Sequence, residues 1–171
     1  MSEPAGPASP VRPGDPAPDL ALVDADGHPW RLSDQRGRPV VLLFHRHLAC
    51  PPCREHAVAV RDRLGELNGA HVALVLFTRQ RNLRGFRSRL AVPFTVATSE
   101  DRAAYRAYGL FGPTGREDED YDETLQAGGD FVVDPTGRLV YAYRSSCSDD
   151  RPPVDDLVKA VLGASIRRDA G

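Results

Sequence analysis

Two of the three cysteines of this 171-residue chain, Cys50 and Cys53, are separated only by Pro51 and Pro52. An apolar strand-like segment, 39–44, precedes them. A segment with apolar residues at helical spacing follows and carries Ala57, Val60, Leu64 and Leu67. A thiol at the start of a helix is favoured as thiolate, because unpaired backbone N–H groups and the helix dipole face it. Two thiols one turn apart can close a small disulfide reversibly, so the pair predicts redox chemistry.

Two other roles for the cysteine pair are weaker. A structural zinc site needs four ligands, and His45 and His47 would complete one only if the strand end curled around the ion. No second paired motif follows in the sequence. A purely structural disulfide is also disfavoured, because so short a loop restricts the unfolded chain little. We therefore expect neither a metal nor any other cofactor.

Composition excludes several classes of function. Net charge is −2 and hydrophobic content 41 %, which fits one domain with a single core and gives no electrostatic case for nucleic acid or membrane partners. No apolar run approaches the roughly 20 residues that span a bilayer, and residues 1–18 lack the apolar core of a signal peptide. A cytoplasmic location is expected, where thiols rest reduced and paired cysteines are typically catalytic.

The order of strand and helix patterns predicts an α/β fold. A tail of 1–15, a domain of 16–165 and a tail of 166–171 are expected from composition. Strand patterns occupy 20–23, 30–32, 39–44, 71–77, 94–96, 131–133 and 139–143, and helical patterns occupy 53–67, 83–90, 104–108 and 154–162. This is the order of a thioredoxin-like fold, a central mixed sheet flanked by helices. Ligands of such sheets lie beyond the carboxyl ends of parallel strands, where Cys50 falls.

Two charged segments flank this framework. The predicted second helix is arginine-rich, and an insertion at 112–128 holds the acidic residues Glu117, Asp118, Glu119, Asp120, Asp122 and Glu123. Such a run is usually a solvated loop, although a long insertion beside an active site can also act as a lid. Pairing of the two segments between molecules would give a homodimer, which the sequence leaves open.

Several segments resemble the peroxiredoxin-like (AhpC/TSA) family over nearly the whole chain, from about 13 to 162. These segments are 13–19, 26–41, 99–110 and 131–137, and within them 46–55 resembles a paired-cysteine branch related to prostamide/prostaglandin F synthase. The resemblance implies a thioredoxin-like fold with an N-terminal β-hairpin. It also implies thiol-dependent reduction of a peroxide or endoperoxide, with thioredoxin or a similar thiol as the reductant.

The sequence departs from the family pattern at the residues that activate peroxide. Cys53 corresponds to the peroxidatic cysteine, and Cys50 stands where the family keeps a Thr or Ser. Arg46 replaces a proline, and Gly128 replaces the arginine that polarises peroxide. Thioredoxins keep a cis-proline where this chain has Gly129. Hydrogen peroxide is therefore expected to be a poor substrate.

The order of attack by the two thiols stays open. The peroxiredoxin register nominates Cys53, whereas a thioredoxin-like geometry nominates Cys50, because a sulfur outside the first helical turn should be more open to solvent. We favour Cys50 on that argument. The proline pair has no N–H to offer, so donors to Cys50 must come from Cys53 and Arg54 onward.

Other residues near the pair are candidates for supporting roles. A neighbouring positive charge would lower a thiol pKa or assist proton transfer, and Arg144 is a candidate for the guanidinium missing at position 128. Cys147 could resolve an oxidised intermediate, although an inert cysteine is the default. The supporting set is Arg46, His47, Arg54, Arg144 and Cys147, with His45 as a further neighbour.

The predicted function is a thiol oxidoreductase that uses the Cys50/Cys53 pair on a peroxide, an endoperoxide or a disulfide. Two alternatives are a protein disulfide oxidoreductase without peroxidase activity and a non-catalytic binding module with a thioredoxin fold. Titration of reactive thiols together with a metal assay separates enzyme from binding module.

Overall fold

The computed structural model describes residues 9–111, 126–147 and 149–169, with side chains as far as 165. Its strands are β1 (Ala21–Asp24), β2 (Pro29–Arg31), β3 (Val40–Phe44), β4 (His71–Leu76), β5 (Thr95–Thr98), β6 (Gly129–Val133) and β7 (Leu139–Arg144). Its α-helices are α1 (Pro51–Asp62), α2 (Leu83–Leu90), α3 (Ala103–Ala107) and α4 (Val154–Asp169).

The strands form one mixed sheet in the order β2-β1-β5-β4-β3-β6-β7. β3, β4 and β5 are parallel, and β6 pairs antiparallel with both β3 and β7. The hairpin β1–β2 joins the sheet through β5. The predicted α/β architecture, a thioredoxin-like mixed sheet flanked by helices, is confirmed.

The central strands are buried on both faces, which explains their unbroken apolar sequences. All five residues of β3 are buried, as are five of the six in β4, the pattern of a sheet covered on both sides. On one face Phe44, Tyr105, Tyr108 and Phe131 form an aromatic cluster with centroid separations of 4.9–5.5 Å. The other face packs against α1, α2 and α4.

The structure describes part of each predicted tail, residues 9–15 and 166–169. Residues 9–15 include ordered chain, since the Gly14 N–H donates to the Leu139 carbonyl at 2.7 Å and Val11 packs against the core. Pro16 then forms a bridge with Arg138. At the other end α4 continues to Asp169. Most of the acidic insertion, 112–125, lies outside the described residues.

No helix within the described ranges has the length and apolar character needed to cross a membrane.

The Tyr105 hydroxyl ties α3 to the strand ends behind the cysteine pair. It is fully buried, donates to the His45 carbonyl at 2.8 Å and lies 3.1 Å from the Val75 carbonyl oxygen. Burial raises the pKa of this tyrosine far above its ordinary value, so the hydroxyl keeps its proton. The bond holds the segment that leads from β3 to the cysteines.

We expect Tyr105→Phe to lower the free energy of unfolding by about 1–3 kcal/mol, because a buried acceptor loses its partner. Tyr141→Phe is the matched control, since the Tyr141 hydroxyl is buried without a hydrogen-bond partner among the described residues. Its removal should be neutral or stabilising. Urea unfolding of both variants measures the difference. Equal destabilisation would show that the Tyr105 hydroxyl bond contributes nothing specific.

Candidate active site

The cysteine pair lies at the N-terminus of α1, at the carboxyl end of the parallel strands. Cys50 is the N-cap, and Pro51 and Pro52 are the first helical residues, which suits them because that turn needs no intrahelical N–H donors. The helix therefore begins two residues earlier than predicted. Cys50 and Cys53 form a disulfide with Cα atoms 5.3 Å apart.

The two sulfurs do not differ in exposure. Cys50 and Cys53 are each 1 % exposed, so the expectation that Cys50 is the more open sulfur is wrong for the disulfide form. The backbone of Arg46 and the side chain of Arg151 contact the sulfurs. The expected donor to Cys50 is present, because the Cys53 N–H lies 3.4 Å from the Cys50 sulfur.

The hydrogen-bond donors do distinguish the two sulfurs. The backbone N–H of Arg46 donates to Sγ of Cys53 at 3.4 Å. Nη2 of Arg151 lies against Sγ of Cys53 and 3.5 Å from Sγ of Cys50. A guanidinium at this distance stabilises a thiolate electrostatically. Cys53 therefore has the stronger set of donors.

Gly128 makes room for this guanidinium. A Cβ atom at position 128 would lie 3.0 Å from Nη2 of Arg151 and 3.2 Å from the carbonyl oxygen of Phe44. The glycine that replaces the family arginine thus leaves a space, and a cation from the segment between β7 and α4 occupies it. A guanidinium is present beside the sulfurs, although it comes from another part of the chain.

Arg151 is held from the side opposite the sulfurs. Its Nη1 donates to Ser145 Oγ at 2.9 Å and to the Asp150 carbonyl at 2.6 Å. Burial lowers the pKa of Arg151, while the carboxylates of Asp130 and Asp150 act in the opposite direction. An arginine keeps its charge under such conditions, so the pair faces a fixed, half-buried cation.

Arg144, a candidate from the sequence for that cation, is used elsewhere. Its Nε donates to the Tyr108 carbonyl and its Nη2 to the Val11 carbonyl, each at 2.8 Å. The guanidinium also lies over the Phe131 ring, 5.2 Å from its centroid. Arg144 therefore anchors the N-terminal segment on the aromatic face of the sheet, and Arg151 corrects the prediction.

The remaining predicted residues differ in what they contact near the cysteine pair. Arg46 and Cys147 line a pocket of about 190 Å³ together with Gly128, and Cys147 is exposed and unpaired. The His47 carbonyl accepts from the Cys50 N–H at 3.2 Å. Arg54 donates to the Leu48 carbonyl at 3.2 Å, so it orders the loop before the helix.

Gln126 is a second residue that the sequence analysis did not single out. It is 1 % exposed, and its amide nitrogen donates to the Arg46 carbonyl. Its amide oxygen accepts from Arg102 Nε at 3.1 Å. Gln126 thus fixes the backbone of the residue whose N–H faces Cys53, and only the tertiary fold brings these residues together.

His45 lies next to the site and remains uncharged. It is 3 % exposed, and neither ring nitrogen finds a hydrogen-bond partner among the described residues. Burial, reinforced by the Arg151 charge, lowers the pKa of His45 to about 3. A neutral imidazole cannot supply positive charge to the thiols, so the cationic contribution comes from arginine.

Within the described ranges, no group of three or more His, Cys, Asp or Glu side chains is arranged to hold a metal ion.

Comparison with known proteins gives the family. Residues 13–142 match the AhpC/TSA family. The chain belongs to this family. A Mycobacterium tuberculosis protein named as a peroxiredoxin is 34 % identical over 136 residues, which cover 77 % of this chain and 84 % of the relative. Peroxiredoxin Bcp of Escherichia coli is 26 % identical over 137 residues, 79 % of this chain and 86 % of Bcp.

The fold comparison agrees with that assignment. A peroxiredoxin-like protein from Aquifex aeolicus superposes with a TM-score of 0.79 at 18 % identity, over 92 % of this chain and 90 % of the other. The predicted peroxiredoxin-like family is confirmed, and its members support thiol-dependent peroxide reduction by this chain. The narrower resemblance to prostamide/prostaglandin F synthase stays a prediction.

The buried His45 should make the stability of the protein depend on pH. Its pKa is 6.5 unfolded and about 3 folded, so between these values the unfolded chain binds the extra proton. The free energy of unfolding should therefore fall as pH drops below about 6.5, by up to about 1.4 kcal/mol per pH unit. Stability is fully retained above that pH.

Urea unfolding at about pH 7.5 and about pH 5 checks this dependence, and His45→Leu should lose about 2 kcal/mol less than the natural chain over the interval. His28→Gln, which alters an exposed side chain, should behave like the natural chain. Equal losses in the natural chain and His45→Leu would contradict the assignment.

Proposed function

We propose that this peroxiredoxin-family enzyme uses Cys53 to attack a peroxide and Cys50 to resolve the product as a disulfide. One observation carries the proposal, the Arg151 guanidinium against the sulfur of Cys53. A thiolate is the reactive form of cysteine, and a buried cation beside it favours ionisation. The preference for Cys50 that followed from expected exposure is thereby reversed.

The reaction follows from the placement of the groups. The Cys53 thiolate attacks the outer oxygen of a hydroperoxide, the O–O bond breaks, and the leaving alkoxide takes a proton to become an alcohol. The Cys50 thiol then displaces hydroxide from the Cys53 sulfenic acid, and water and the disulfide form. A thiol reductant returns both cysteines to the reduced state.

Arg151 takes the electrostatic role that the family gives to the residue corresponding to Gly128. The guanidinium reaches both sulfurs, so it is close to the oxygen that develops charge during attack. The hydroxyl that the family keeps at position 50 is replaced by the resolving thiol. Hydrogen peroxide activation therefore lacks one donor, and organic hydroperoxides are the favoured substrates.

One feature suits an exchange partner in the cell. The pocket lined by Arg46, Gly128 and Cys147 is open to the protein surface, and the backbone N–H of Arg46 contacts the sulfur of Cys53. We propose that a thioredoxin-like dithiol reduces the disulfide there and that the enzyme works in the cytoplasm, where such reductants maintain thiols. A homodimer remains a hypothesis from the charged segments of the sequence.

The order of attack is tested by single-cysteine variants in a Cys147→Ser background. After reduction and addition of an organic hydroperoxide, Cys50→Ser should accumulate a sulfenic acid on Cys53, trapped by dimedone and located by mass spectrometry. Cys53→Ser should give no such adduct on Cys50. The opposite pattern would reverse the assignment.

A third outcome identifies a different enzyme. If neither variant reacts with hydroperoxide but the natural chain exchanges rapidly with a low-molecular-weight disulfide, the protein is a disulfide oxidoreductase. The three-residue spacing of Cys50 and Cys53 is compatible with that chemistry, which makes the measurement decisive.

Replacement of Arg151 tests the electrostatic part of the proposal. Arg151→Met should slow peroxide oxidation of Cys53 by about 10²–10³-fold, the usual cost of losing one preorganised donor. It should also raise the pKa of the thiol, measured by ultraviolet absorbance of the thiolate. Arg151→Lys keeps the charge and should recover part of the rate. An unchanged rate in Arg151→Met would remove the guanidinium from the mechanism.

A further inference from the structure

The backbone N–H of Arg46 contacts the sulfur of Cys53, and the proposed reaction assigns it no role. The nitrogen lies 3.4 Å from Sγ, and the two residues are 7 positions apart in the chain. An N–H donor favours a thiolate over a thiol, because hydrogen bonds to a charged acceptor are roughly twice as strong as bonds to a neutral one. A donor at this place therefore bears on the ionisation of Cys53.

The residue type at position 46 decides whether this donor exists. By the family resemblance, Arg46 stands where the family keeps a proline, and proline has no backbone N–H. A proline at this position would leave the sulfur of Cys53 without the contact, whereas any other residue supplies it. What the arginine adds to the site thus includes a main-chain donor, which does not depend on the charge of its side chain.

The peptide unit that carries the donor is held at its carbonyl. The N–H of Arg46 and the carbonyl of His45 belong to the same planar peptide group. That carbonyl accepts from the Tyr105 hydroxyl on α3 at 2.8 Å. A rotation that turned the N–H away from the sulfur would also turn the carbonyl away from Tyr105, so the hydroxyl opposes it.

The next carbonyl along the chain is held as well. The Arg46 carbonyl accepts from the amide nitrogen of Gln126, and the amide oxygen of Gln126 accepts from Nε of Arg102 at 3.1 Å. A guanidinium can only donate, so Arg102 fixes the amide with its oxygen towards the guanidinium. The amide nitrogen then faces the Arg46 carbonyl, which can only accept.

Arg102 is itself held between aromatic side chains. Its guanidinium carbon lies 3.9 Å from the centroid of the Phe77 ring and 4.9 Å from that of Phe111, and the residue is buried. Its φ of 58° is unfavourable for a residue with a side chain, and such a conformation persists where surrounding contacts hold it. The contacts from α3 through Gln126 to Arg46 thus form one buried chain.

We propose that the Arg46 N–H is a catalytic donor that stabilises the Cys53 thiolate, and that Gln126 and Arg102 are positioning residues that keep this donor on the sulfur. The inference rests on Cys53 being the attacking thiolate of the proposed function. The donor complements Arg151, because the guanidinium supplies charge and the N–H supplies a directed hydrogen bond. The N–H keeps its proton throughout, and the Arg46 side chain is not needed for this role.

Several charged or titratable groups act on His45 and Arg151 beside the sulfurs, and a test has to hold them constant. They are Arg46, Arg54, His47, Asp130, Asp150 and His56, whose Nε2 lies 2.5 Å from Oδ2 of Asp130. Arg46→Pro removes one of these charges together with the N–H. Arg46→Ala is its matched control, because it removes the same guanidinium and keeps the N–H.

The pKa of the Cys53 thiol is measured by ultraviolet absorbance of the thiolate. The background is Cys50→Ser with Cys147→Ser, in which Cys53 is the one cysteine left of 3. We expect the thiol pKa to be higher in Arg46→Pro than in Arg46→Ala by about 1, because a hydrogen bond to the charged form is lost. Equal values in the two variants would overturn the role of the N–H.

Gln126→Met and Arg102→Met test the positioning residues in the same background. With Arg46 in place, each should raise the thiol pKa, because the Arg46 carbonyl loses its hold. In the Arg46→Pro protein neither should raise it further, since no N–H remains to be positioned. The same rise with and without Arg46→Pro would overturn the positioning role, because the two residues would then act through charge or packing.

Gln80→Met is the matched control for Gln126→Met. The Gln80 amide donates to the carbonyls of Asp24 and Ala25 at 3.2 and 3.3 Å, beside β1, which β5 and β4 separate from β3. The thiol pKa should not change, and a rise equal to that in Gln126→Met would overturn the positioning role. If Gln126→Met does not fold, Gln126→Asn replaces it, because it keeps an amide that is too short to reach both partners.

The outcomes separate this inference from the proposed function, because no peroxide is added. Dimedone labelling of Cys50 instead of Cys53 would refute the proposed order of attack, and the pKa comparison would still decide whether the Arg46 N–H stabilises a Cys53 thiolate. Equal thiol pKa values in Arg46→Pro and Arg46→Ala would overturn the inference even if Cys53 reduces peroxide.

Discussion

The contact between a half-buried guanidinium and two fully buried sulfurs is the interaction on which the rest of the site depends. A side chain at Gly128 would crowd the guanidinium of Arg151, and Arg151 stays in place because Ser145 and Asp150 accept from its other nitrogen. A buried cation needs a nearby counter-charge, and Asp130 supplies one. Removal of any of these groups would alter the charge at the sulfurs.

This arrangement explains how a family member keeps its electrostatics without the family's arginine. By the family resemblance, the position of the arginine corresponds to Gly128, just before β6, and the segment before α4 delivers Arg151 to the space beside it. By the same resemblance, Cys50 stands at the position where the family keeps the hydroxyl of a Thr or Ser. Its sulfur accepts a hydrogen bond from the Cys53 N–H. One residue thus caps the helix and forms the disulfide.

Sequence patterns predict the framework well because the framework is set by local periodicity. The buried runs of β3 and β4 and the proline-marked start of α1 are visible in the chain, and the cysteine spacing identifies the site. Arg151 was missed because the chain carries 22 Lys and Arg residues, and nothing local separates Arg151 from Arg144. Carbonyl acceptors at Tyr108 and Val11, far apart in sequence, hold Arg144 away from the cysteines. His56 and Asp130 likewise meet only through the packing of α1 on β6.

Burial drives neighbouring groups of this site to different protonation states, and their ordinary pKa values decide which. His45 loses its charge because its ordinary value is close to neutrality and desolvation lowers it to about 3. Arg151 keeps its charge, because the ordinary pKa of a guanidinium is so high that the lowering caused by burial does not bring it near neutral pH. The low polarity of this buried site also strengthens the attraction between Arg151 and a thiolate.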